Sequence, residues 1–176
     1  MTTVLLLLLA LQTPRPGVAA SPRPFAYRGF APGMTYRDFA ARARGILHGD
    51  SDLVCQTMHN NANVMDCGVN VRDPVDSARF YLSANVIEGR TSVIALVDSG
   101  AASLVKQRQD DLRAQLGTPQ RRLRSTWEWT RGRRFIRLSW RGAGTGARAW
   151  RKVSITLNDR DVMNRISKYV PKTKKR

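Results

Sequence analysis

The sequence predicts an α+β domain: an antiparallel sheet of about seven strands with helices packed on one face. Three observations point there. Residues 125–157 hold all four tryptophans and alternate apolar with basic or hydroxyl side chains, the period of half-buried strands. Two further segments, 53–70 and 79–98, have hairpin patterns around turn residues. Two helical stripes, over 35–46 and 101–116, carry start or stop signals.

In chain order, Thr35 is a capping residue with Asp38 three positions on, and Met34 and Phe39 occupy the staple positions around it. Tyr36, Phe39, Ala40, Ala43, Ile46 and Leu47 form the apolar stripe of this first helix, and Gly45 or Gly49 ends it. The hairpin over 53–70 turns at 60–63. If it is symmetric about residue 61, Cys55 faces Cys67, and two cysteines in a secreted chain read as a disulfide. The competing reading takes His48, Cys55, His59 and Cys67 as zinc ligands, but their spacing matches no common zinc pattern, so no metal or other cofactor is expected. The second hairpin turns at Glu88-Gly89. Ser99-Gly100 leads into the second helix, whose Leu104, Val105, Leu112 and Leu116 face the sheet and which stops at Gly117 and Pro119.

In the tryptophan-rich stretch, Arg131-Gly132 marks the turn. Ile136, Leu138 and Trp140 share one face with Val153, Ile155 and Leu157 of the last strand, and Trp127 and Trp129 join the core. Phe135, Arg137, Ser139 and Arg141 share the other face with Lys152, Ser154 and Thr156. Asn158 is placed to cap a last helix, with Asp159 and Asp161 near its positive end and Val162, Ile166, Tyr169 and Val170 as its stripe. The loop 142–146 has three glycines but no Lys-Ser/Thr opening a helix, so it does not read as a phosphate loop.

The apolar run at 4–11 is too short to span a bilayer, and Val18-Ala19-Ala20 supplies small residues for cleavage. The expected organisation is a signal peptide over 1–20, a Pro-rich arm over 21–32, one domain over 33–171 and a basic tail over 172–176. The mature protein is expected in the periplasm or outside the cell, with no transmembrane segment. Units 33–98 and 99–171 are a candidate repeat.

The net charge is +17, and it is unevenly placed: residues 21–98 balance eight cations with eight acids, whereas 99–176 carry twenty-one cations and five acids. A basic half suggests a polyanionic partner; an Arg-rich composition is the bland alternative, with 24 Arg against 6 Lys. The candidate anion-binding residues are Phe135, Arg137, Arg141 and Lys152 on the strands, with Arg131, Arg133 and Arg134 at the turn.

Gly33-Met34-Thr35 opening a helix, and Leu116-Gly117-Thr118-Pro119 closing one before a Trp-bearing strand, resemble the small outer-membrane-assembly lipoproteins of the SmpA/OmlA type. Two such units in tandem resemble the β-lactamase inhibitor proteins. The resemblance implies an antiparallel sheet with helices on one face, no catalysis, and an envelope or secreted setting; it carries no binding site over.

Three function classes follow. The leading one is a non-enzymatic binding or scaffold protein whose basic face meets lipopolysaccharide, anionic lipid or an acidic protein, with nucleic acid a weaker candidate. The second is a ribonuclease-like hydrolase using His48 and His59 as acid and base. The third is an inhibitor or assembly subunit acting through loops 60–63 and 142–146.

Overall fold

The computed structural model describes residues 24–47, 52–58, 61–72, 77–146 and 149–170. The expected signal peptide over 1–20, residues 21–23 of the expected arm, His48, His59 and the basic tail lie outside them.

Helix α1 (Tyr36–Arg44) is followed by strands β1 (Val54–Met58), β2 (Asn61–Arg72), β3 (Arg79–Ile87) and β4 (Arg90–Ala101). Helix α2 (Ser103–Leu116) is followed by β5 (Arg121–Leu123), β6 (Thr126–Arg131), β7 (Arg134–Ala143) and β8 (Trp150–Asp159). A short helix α3 (Arg160–Asn164) runs into a 3-10 turn over Arg165–Lys168. All eight strands form one antiparallel sheet in the order β1-β2-β3-β4-β8-β7-β6-β5. The order is a mirror: each helix-plus-four-strand half is a meander, and the last strands of the two halves meet at the centre.

The local reasons match the sequence signals closely. Thr35 Oγ1 accepts the Asp38 backbone N–H at 3.1 Å and donates to the Asp38 carboxylate at 2.7 Å, so the first helix starts on a reciprocal cap. Cys55 sits opposite Cys67 in the β1–β2 register, and the two are bonded. Closing that ring contributes about 2–3 kcal/mol by restricting the unfolded chain. Leu82, Ile94, Ile136, Leu138, Val153 and Leu157 are buried on one face of the sheet, against Tyr27, Phe30 and Phe39 before and within α1 and Leu112 of α2. That burial, at about 1.5–3 kcal/mol for each large side chain, is what holds the layers together.

Several expectations need correcting. The sheet has eight strands, because β5 pairs with β6; its three residues, Arg-Arg-Leu, are too few to alternate and all are exposed. The helices are not all on one face. Asp66, Asn85 and Val93 point away from the core, being neighbours of core residues Cys67, Ala84 and Ile94. Met163 of α3 and Ile166 line a cavity of about 290 Å³ with those three, so the C-terminal segment caps one end of the opposite face. The second helix begins at Ser103 because β4 continues through Ala101. The β6–β7 turn is centred on Gly132-Arg133, with Gly132 at φ 60°, one residue later than the pattern indicates. Asn158 is not the last cap: it stays in β8, and the Asp159 carboxylate accepts the Asp161 and Val162 N–H groups.

Among the described residues, no helix is long and apolar enough to cross a membrane.

Candidate anion-binding face

Strand register decides where each cation goes. Arg131 and Arg134 pair across the β6–β7 hairpin and have the parity of Trp129 and Ile136, so they leave the sheet on the helix-bearing face. There, with Arg133 of the turn, they line a groove of about 560 Å³ against Phe25, Asp159 and Asp161. The Arg131 guanidinium stands 5.0 Å over the Phe25 ring. Arg133 forms an ion pair with Asp161, and Arg134 bonds Asp159 at 2.9 Å. Burial alone would raise the Asp159 pKa, but Arg134 and the two cap N–H groups outweigh it and hold the carboxyl below its ordinary range.

Phe135, Arg137, Arg141 and Lys152 do share the opposite face, yet in different states. Phe135 is buried, with the Arg137 and Arg160 guanidinium groups 5.1 and 5.0 Å from its ring centroid. It is a seat for cations, not a contact surface. Arg137 donates from Nε and Nη2 to one oxygen of Glu128, at 2.9 and 2.8 Å, and that carboxylate is itself largely buried. Of the seven expected residues, Arg133, Arg134 and Arg137 therefore already hold a carboxylate, and the patch is split between two faces.

Arg141 and Lys152 remain. They are direct cross-strand partners, and Lys152 also pairs with Ser99 of β4. On the other side of β4 the ladder to β3 ends at Tyr81 and Val97, and Arg79, one outward step past Tyr81, pairs with Arg72 of β2. Arg72 and Arg79 on β2 and β3, and Lys152 and Arg141 on β8 and β7, thus form two cross-strand cation pairs on one face, on either side of β4. Among the described residues, none of the four has an acidic partner.

The pairs border a groove of about 820 Å³ that includes Asn70, Arg72, Arg79, Tyr81, Trp150 and Lys152. A second groove, of about 360 Å³, continues from Lys152 past Arg141 and the hydroxyls of Thr126, Ser139 and Ser154. Two aromatic side chains are half exposed here, Tyr81 at 45% and Trp150 at 49%. Tyr81 is laid over β2: a Cβ on Gly68 would stand 2.0 Å from the tyrosine hydroxyl, so only glycine leaves the ring that position.

Sequence reasoning missed Arg72, Arg79, Tyr81 and Trp150. Alternation within 79–87 already gave Arg79 and Tyr81 one parity, but the charge-balanced half of the chain drew no attention to them. The zinc reading loses its two thiolates because Cys55 and Cys67 are bonded to each other. The hydrolase reading rests on His48 and His59, both outside the described residues. No protein-family model, curated protein or solved structure matches this chain.

Proposed function

We propose that this is a non-enzymatic binding protein, working outside the cytoplasm, that grips an anionic component of the cell envelope on the sheet face opposite α1 and α2. The observation that carries this reading is the set of Arg72, Arg79, Lys152 and Arg141, four cations without carboxylate partners among the described residues, in two cross-strand pairs on one face. Cations that are already paired are electrically spent; unpaired ones on a shared surface keep their attraction for an incoming anion. The disulfide and the apolar N-terminal run support a setting outside the reducing cytoplasm.

Retention on an immobilised polyanion tests it. Arg141→Gln with Lys152→Gln should elute at clearly lower salt than the parent chain. Arg113→Gln with Arg124→Gln removes the same charge from other exposed positions and should shift elution much less. Equal shifts for the two pairs would mean that net charge alone is being measured, and the reading would fall.

A further inference from the structure

The groove is more specific than a basic patch, and its chemistry names a class of ligand. The inference below rests on the reading of the face proposed above. The cations form two pairs strung across the strands on either side of β4, not a disc. Beside them stand hydrogen-bonding groups, Asn70 of β2, Ser154 of β8, Ser139 of β7 and Thr126 of β6, one outward step along each strand. Tyr81 and Trp150 stand beside the cations in the same groove, both half exposed. Tyr81 also lies over β2 in the space that the missing side chain at position 68 leaves.

A flat, partly exposed ring offers its electron-rich face to weakly positive C–H groups. Hydroxyl and amide groups suit a ligand that is itself rich in hydroxyls. Spaced guanidinium and ammonium groups suit negative charge repeated along a chain. One ligand class has all three properties.

We propose that the groove binds an anionic saccharide chain lying across the strands, its sugar rings against Tyr81 and Trp150 and its acidic groups on the pairs Arg72–Arg79 and Lys152–Arg141. A membrane surface fits less well, because the cations are strung along a groove and, among the described residues, no cluster of exposed aliphatic side chains accompanies them. A single-stranded nucleic acid could use the same rings and cations. The disulfide argues against it, since it marks an oxidising setting outside the cytoplasm, away from where nucleic acid is made.

Titration calorimetry on the full chain tests this with defined probes: sulfated heparin fragments, oligogalacturonates, phosphorylated mannose oligomers, neutral maltooligosaccharides, an oligothymidylate and phosphatidylglycerol vesicles. The three acidic saccharides separate sulfate, carboxylate and phosphate as the charged group. Affinity for at least one should climb from disaccharide to tetrasaccharide and level off once the chain reaches both cation pairs. Lys152→Gln with Arg141→Gln should weaken it by about tenfold or more. Tyr81→Ala and Trp150→Ala should each weaken it by roughly fivefold without changing its salt dependence. Gly68→Val should reproduce the Tyr81 loss with every charge in place.

Tighter binding of oligothymidylate at equal charge would overturn the assignment in favour of nucleic acid, and tighter vesicle binding would do so in favour of lipid. If the charge variants weaken binding and the ring variants do not, the saccharide inference falls and the anion-binding face stands. If neither set has an effect on any probe, both fall.

Discussion

The two ends of strand β7 carry the same kind of residue and do opposite things. At the turn end, Arg133, Arg134 and Arg137 meet Asp161, Asp159 and Glu128, and these pairs tie α3 and the β6 edge into the fold. At the far end, Arg141 faces Lys152 with no acid between them. The difference comes from what the neighbouring strands contribute at each register position, not from the arginines. A count of basic residues measures neither end; only their pairing does.

The largest way to break the contrast is at the paired end. Asp159→Ala removes the cap of α3 and the partner of Arg134 in one step. It should cost about 3 kcal/mol in urea unfolding, the sum of a lost cap and a lost charged hydrogen bond. Because the Asp159 pKa is lowered in the folded state, its stabilisation is complete above the ordinary carboxyl range. It is lost as pH falls through the lowered folded value. The variant should therefore show a flatter loss of stability in acid than the parent.

Glu128→Gln is a sharper probe, because it converts one kind of arginine into the other. Freeing Arg137 should destabilise the domain by only about 1 kcal/mol, since that guanidinium is partly solvated. It should also raise salt-resistant retention on an immobilised polyanion, because a new unpaired cation joins the outer face. Unchanged retention would show that pairing is not what separates the two ends.

A third test uses the clip on the C-terminal segment. Glu88 sits in the β3–β4 turn at φ 52°, with Gly89 at φ 73°, the left-handed pair of a tight hairpin. Its carboxylate accepts hydrogen bonds from Lys168, Tyr169 and Arg165 at 2.9, 2.9 and 3.0 Å. Lys168 and then Tyr169 do most to hold its pKa down, to about 2. The clip should hold from neutral pH down to the ordinary carboxyl range and release as pH falls toward 2. The protection factors of the Tyr169 and Val170 amides against exchange should fall over that window in the parent. In Glu88→Gln they should be low throughout.

The smallest expected effect belongs to the open end. Arg141→Gln with Lys152→Gln should change stability by less than about 0.5 kcal/mol, because no contact is lost. A drop of several kcal/mol would mean that these cations are structural, like those at the turn.

Local features of this fold were legible in the sequence for local reasons. The Thr35 cap, the Cys55–Cys67 register and the inward set from Ile136 to Leu157 each depend on spacing within one segment. Arg108 was not legible: it completes a buried stripe with Leu104 and Leu112, and Asp98 of β4 makes that tolerable with a 2.8 Å bond. The candidate face behaves in the same way. Lys152 and Arg141 follow from alternation along two adjacent strands, whereas Arg72 and Arg79 join them only through the crossing from β4 to β8. Nothing near Arg79 in the chain announces that crossing.

The mirrored strand order also settles what lies at the rims. The sheet ends on one side at the three-residue β5, which carries Arg121 and Arg122, and on the other at the five-residue β1, where the ladder slips between Thr57 and Met58. Brief, charged or irregular borders are poor templates for another chain to add to. A broad sheet with one face left largely open can in this way persist at high local concentration without seeding fibrils.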